Sequence, residues 1–207
     1  MQAPRTPTLA FCAALAAAVV GTTAQAALIQ GPAFISASTA LPVYSGWPHN
    51  ISEIADGISA DFNGWAGANN LVGTIKLGLL GTFDLTSFSL WNDINILREG
   101  VGDFQLHFFD ASDTLISTSA RYTAPVSQFA AGVYNFAAVQ GVSRVDLEVL
   151  TLLTGGVCCR IEIREVAFNG ERSGAVQAVP EPASAALAGL SLLLLGAHGA
   201  LQRRLRR

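Results

Sequence analysis

Three stretches of this chain repeat with a period of two. In DFQLHFF (103–109), Phe104, Leu106 and Phe108 alternate with Gln105 and His107. In RVDLEVL (144–150), Val145, Leu147 and Val149 alternate with Asp146 and Glu148, and in RIEIRE (160–165), Ile161 and Ile163 alternate with Arg160, Glu162 and Arg164. Successive side chains of an extended backbone point to opposite faces, so this pattern demands strands with one apolar face buried and one polar face in water. TIKLGLL, LTSFSLW and GVYNFAAV read as further, weaker strands, separated by Gly-, Asn- and Asp-rich pieces. No long amphipathic helical pattern lies between residues 27 and 178. Several short antiparallel strands in a stretch of about 150 residues predict an all-β fold, a β-sandwich.

The ends of the chain have a different composition. Arg5, the apolar run Leu9–Val20 and then Ala24-Gln25-Ala26 form a charged lead, an apolar stretch and a small-residue exit. That order predicts a secretory signal over residues 1–26, cut after Ala26. At the other end Ala183–Leu201 is a nineteen-residue apolar stretch. At ~1.5 Å rise per residue it matches a hydrocarbon core of ~30 Å, so it reads as a single transmembrane helix. Arg203, Arg204, Arg206 and Arg207 follow it and are expected to stay cytoplasmic, leaving the body outside. His198, close to those arginines, is expected near the interface.

Between body and span stands Val179-Pro180-Glu181-Pro182. Its two prolines hold the backbone extended just outside the membrane, as a handle that a protease can reach. The tetrapeptide, apolar span and terminal arginines, in this order over about the last 29 residues, resemble the PEP-CTERM sorting signal of Gram-negative bacteria. The resemblance implies an exosortase as partner, which processes the tail near the motif. It also implies a transient inner-membrane anchor, followed by transfer to the cell envelope or extracellular matrix.

Composition narrows the function of the body, residues 27–172 with a short linker at 173–178. From 27 to 178, seven Lys and Arg stand against fourteen Asp and Glu, a net charge of −7. A chain so acidic lacks the clustered cations that nucleic-acid phosphates require. The mature chain keeps only the adjacent cysteines Cys158 and Cys159, which lack the spacing of a metal site. Export permits a vicinal or intermolecular disulfide there; two free thiols beside a strand are the simpler reading. No G-x-S-x-G, H-E-x-x-H or phosphate-binding glycine loop is present, so no catalytic residues are assigned. Asp110 and Asp113 in FDASDTL are expected to cap a hairpin turn.

IADGISADFNGW (54–65), LTSFSLWNDI followed by GVGDFQLHFFDAS, and the closing CRIEIREVAFNG give the body a diffuse resemblance to the discoidin, or coagulation-factor type C, family. The resemblance spans about residues 45–171 and implies a galactose-binding-like jelly-roll sandwich. In that family an Asp-Gly turn leads to a core Trp, as Asp56-Gly57 leads here to Trp65 over a longer spacing, with Asn63 in place of a Thr. Family members that hold a structural Ca2+ in this loop imply Asp56 and Asp61 as ligands, with Asn63 a third candidate; simple turn stabilisation is the other reading.

Lectin-like members imply a sugar site in loops at one end. YSGWPHN supplies Trp47 and His49 for it, and WNDINILREG supplies Asn92, Asp93 and Arg98. Trp65 and Trp91 are expected in the core. The reading that follows is an exported, non-catalytic module, binding carbohydrate in the exopolysaccharide matrix. A structural matrix protein without a specific ligand is the alternative, and a glycan-active hydrolase a more distant one. Intact-mass measurement of the surface-localised protein should find both ends removed, after Ala26 and near Pro180–Pro182. Recovery of chain still carrying Arg203–Arg207 would make the tail an ordinary anchor.

Overall fold

The computed structural model describes residues 26–46, 49–95, 99–125, 129–153 and 160–174. The leader through residue 25, the motif Val179–Pro182, the apolar span and the arginine tail lie outside the described residues, as do Trp47, Arg98, Cys158 and Cys159. The described residues form β1 (Ala27–Ile29), β2 (Ile35–Thr39), a 3-10 helix (Ile51–Ala55), β3 (Trp65–Ala66), β4 (Thr74–Asn92), β5 (Asp103–Phe109), β6 (Leu115–Thr118), β7 (Tyr122–Thr123), β8 (Gly132–Val149) and β9 (Glu162–Arg172). All strand pairs are antiparallel.

Two strands are much longer than the sequence pattern suggests. TIKLGLL and LTSFSLW, expected as separate strands, are one strand of 19 residues, β4. GVYNFAAV and RVDLEVL likewise merge into the 18 residues of β8. The first part of β4 lies between β2 and the second part of β8, with β5, β6 and β7 beyond. Its second part lies between β9 and the first part of β8, with β1 and β3 beyond. One hydrogen-bonded network therefore folds over itself into two layers, which share β4 and β8. The corner coincides with a register shift between Gly78 and Phe83. Gly81 (φ 143°) and Gly141 (φ 74°) stand there in backbone conformations that L side chains rarely adopt.

The alternation seen in the sequence packs the space between the layers. Phe104, Leu106 and Phe108 of β5 and Val145, Leu147 and Val149 of β8 are all buried on one side. Facing them, Phe88 of β4 lies 5.8 Å from the Phe104 ring and 5.3 Å from Phe168 of β9. Tyr134 meets Phe104 edge-on at 4.8 Å. Trp65 is buried as expected, but Trp91 is half-buried and stands outside the core cluster. Asp110 accepts the Ser112 and Thr114 amides through Oδ1, the turn capping that its position suggests. His107, expected as a free surface imidazole, instead bridges Glu148 Oε2 (2.8 Å) and Thr118 Oγ1 (3.1 Å).

Phe88 touches both layers and has no exposure to water. Phe88→Ala should therefore lower unfolding free energy by ~3–5 kcal/mol, as large core truncations do. Chemical denaturation of the body checks this, and an unchanged midpoint would contradict the packing.

Candidate functional site

Arg160 and the start of β9 carry four charged side chains, of which Arg160, Glu162 and Arg164 alternate with apolar residues and Glu165 follows directly. Alternation predicts Arg160, Glu162 and Arg164 on a solvated face. The structure corrects this: loops cover that face, and Glu162, Arg164 and Glu165 are all at or below 2% exposure. A buried charge must find partners inside the protein, and each of these does so by gripping a loop.

Arg164 reaches three loops at once. Its Nε donates to the Asp93 carbonyl (2.9 Å), Nη1 to Ser59 (3.1 Å) and Nη2 to Phe129 (2.7 Å). The guanidinium also stands 4.6 Å from the centre of the Phe129 ring. Burial lowers its pKa, while the acids Asp61 and Asp93 act against that fall.

Arg160 donates through Nη2 to Glu99 Oε2 and through Nε to Glu162 Oε1, both at 2.6 Å, and lies 4.2 Å over the Tyr44 ring. Glu99 and Glu162 thus share one guanidinium. Burial first, then the hydrogen bond with Glu99, push the Glu162 carboxyl up to about 7 against the pull of Arg160. The second oxygen of Glu162 accepts the Ile94 amide at 3.2 Å, tying this cluster to the loop after β4.

That loop turns two expected ligand groups inward. Asn92 donates to the Val101 carbonyl (2.8 Å) and accepts its amide (2.9 Å). Asp93, at 1% exposure and φ 65°, accepts the Asn95 and Glu99 amides, each at 3.2 Å. Both side chains close the loop on itself instead of facing a ligand. His49 does face outward, 3.8 Å from Glu53. With Asn50, Val43, Thr39 and Leu41 it lines a groove of about 350 Å3 whose floor includes Trp65.

The loop expected to hold Ca2+ leads to a second carboxylate that sequence reasoning missed. Asn63 Nδ2 lies 2.8 Å from the Ile58 carbonyl, 3.3 and 3.4 Å from the two Asp56 carboxylate oxygens and 3.4 Å from the Glu53 carbonyl. Glu165 Oε2 accepts the Gly57 amide at 3.1 Å, while its Oε1 is buried without a hydrogen-bond partner. Burial, with Asp56 beside it, pushes the Glu165 carboxyl up to about 8. The Asp56 carboxylate and two carbonyls surround the Asn63 amide, with Glu165 beside Asp56, and these are hard oxygens of the kind that Ca2+ takes. Asp61 stands apart from it, half-exposed and 4.0 Å from Arg164 Nη1. A cation beside a guanidinium would be repelled. Among the described residues no group of three or more His, Cys, Asp or Glu converges as a metal site.

Several solved structures share this arrangement of strands. The family 32 carbohydrate-binding module of Clostridium perfringens NanJ, in complex with galactose, matches 70% of this chain and 98% of its own, at 13% identity and TM-score 0.55. The Clostridium perfringens module CpGH89CBM32-5, in complex with GalNAc-β-1,3-galactose, matches 69% and 99%, at 14% identity and TM-score 0.55. A putative chitobiase fragment from Bacteroides thetaiotaomicron matches 73% and 97%, at 11% identity and TM-score 0.61. The body is a discoidin-like β-sandwich. No protein-family model matches the chain, and no curated protein is significantly similar to it. At identities this low the likeness of this discoidin-like sandwich to those modules concerns the fold.

The raised Glu162 carboxyl has a consequence for stability. A carboxyl with an ordinary pKa of 4.5 that reaches about 7 on folding binds its proton more tightly in the folded state. Its contribution is complete below about 4.5 and is lost as pH rises through about 7. Thermal melts should therefore show the melting temperature falling over that window. In Glu162→Gln, where an amide replaces the protonated carboxyl, the fall should be shallower; an identical slope would place the titration elsewhere.

Proposed function

We propose that this chain is an exported, non-catalytic carbohydrate-binding module. The observation that carries the reading is the groove at His49 and Asn50, on a fold shared with modules crystallised with galactose and with GalNAc-β-1,3-galactose. Its wall mixes apolar Val43 and Leu41 with imidazole, amide and hydroxyl groups. Sugars need that mixture, because a pyranose ring presents an apolar C–H face and a rim of hydroxyls. Trp47, two residues before His49 and followed by Pro48, is the aromatic platform in this reading.

Calcium would act structurally. Asp56, Glu165 and the carbonyls of Glu53 and Ile58 would hold it, joined by Asn63 through its amide oxygen. The ion would neutralise the Asp56 and Glu165 carboxylates and fasten the loop of residues 56–63 to β9. We assign the ends to display: export by residues 1–26, transient anchoring by residues 183–201, and exosortase processing near Pro180–Pro182. The ligand is then an extracellular polysaccharide around the cell.

A glycan array probed with residues 27–178, with and without Ca2+, tests the reading. Saturable binding is expected, and Trp47→Ala should weaken it by ~1–3 kcal/mol, as truncated aromatic hot spots do, with little change in melting temperature. Ca2+ should raise the melting temperature of the native body but not of Glu165→Gln. A body that binds no glycan would be the structural protein of the alternative reading.

A further inference from the structure

The groove at His49 has a neighbour. Thr39 and Leu41 also line a second groove of about 440 Å3, which runs along the edge formed by β2 and the start of β4. Ser38 and Lys76 lie directly opposite one another in the β2–β4 register. Thr74 is two residues from Lys76 on the same strand, so the three side chains share one face of the sheet. Leu41 supplies an apolar wall beside them.

These polar groups are uncommitted. Most cationic side chains near the loops are engaged: Arg160 by two glutamates, Arg164 by three carbonyls, Arg144 by Asp113 and Asp146. Lys76 is the sole lysine in the sequence, it is exposed, and among the described residues no carboxylate pairs with it. The Ser38 and Thr74 hydroxyls likewise make no side-chain hydrogen bond among the described residues, whereas the Thr39 hydroxyl donates to the Thr74 carbonyl at 2.9 Å. Asp146 and Glu148, which pair with Lys76 and Thr74 across the ladder, are held by Arg144 and His107, both at 2.8 Å. Neither acid lines the groove, which is formed by Ser38, Thr39, Ala40, Leu41, Thr74 and Lys76.

We propose that this edge is a second subsite, for a negatively charged sugar, so that the ligand is an acidic glycan chain lying from His49 past Leu41 to Lys76. The proposal rests on the carbohydrate reading and extends it. A neutral sugar at His49 would be joined by a carboxylated neighbour whose anion meets the Lys76 ammonium and whose hydroxyls meet Ser38 and Thr74. On a body with a net charge of −7, a lysine that pairs with no carboxylate among the described residues lets the groove select by charge as well as by shape.

Calorimetric titration of the full-length protein in detergent, with hexamers of a uronic acid, of a neutral glucan and of a sulfated glucan, tests this. The uronate should bind about three- to tenfold tighter than the neutral hexamer at low salt, as an exposed ion pair permits, and the advantage should shrink as salt rises. Lys76→Met, at an exposed position that leaves the core untouched, should lose that preference and keep neutral binding. Equal affinity of the sulfated chain supports an anion subsite that reads charge alone. Equal affinity for neutral and acidic hexamers, or an unchanged preference in Lys76→Met, overturns the subsite while leaving carbohydrate binding intact. Absence of binding to all three hexamers defeats both.

Discussion

A guanidinium without contact with water must satisfy its donors inside the protein, and Arg164 does so with the carbonyls of Asp93, Ser59 and Phe129. Those three acceptors belong to three separate loops. Moving any one of them away would leave a buried charge short of a partner, at a cost of several kcal/mol. The loops are therefore bound to β9, and β9 is bound to β4 through an antiparallel ladder. Three loops thus take much of their order from one side chain, through backbone carbonyls. That is a suitable base for recognition, because loops already ordered lose little entropy when a ligand arrives.

The neighbouring acids extend the same logic with opposite outcomes. Glu99 and Glu162 are both nearly inaccessible, but Arg160 lies between them and Tyr44 covers its face. Asp56 and Glu165 have no such cation. Their donors, the amides of Asn63 and Ile58 for Asp56 and those of Gly57 and Gln30 for Glu165, carry only partial charges. Burial raises both carboxyls, Glu162 against the pull of Arg160 and Glu165 with the Asp56 charge adding to the rise.

The layered fold was largely legible in the chain. DFQLHFF and RVDLEVL bury the residues that their alternation selects, since side chains on a pleated strand have only two directions to take. What alternation could not convey is that β4 and β8 each serve both layers. The crossing depends on a bulge and on Gly81 and Gly141, and a glycine within a strand pattern looks the same whether it ends the strand or bends it. The candidate site was less legible. The loop that carries His49 reads as polar in the sequence, and the structure places that imidazole beside a groove. Asn92 and Asp93 were assigned outward on residue type, yet a loop closing on itself needs those same hydrogen-bonding groups.

By itself the sequence determined the strand character of the body, the side chains that fill its interior, its acidity and the distinct compositions of its two ends. These are local properties, set by side-chain direction, charge and apolar length. Tertiary structure alone decided that the polar face of RIEIRE lies under loops, that Glu165 meets Asp56 across 109 positions, and that Lys76 stands beside a groove that shares Thr39 and Leu41 with the groove at His49. Whether a polar side chain is solvated or buried depends on what the rest of the chain lays over it. Covering of that kind arises between residues far apart in sequence, so no window along the chain contains it.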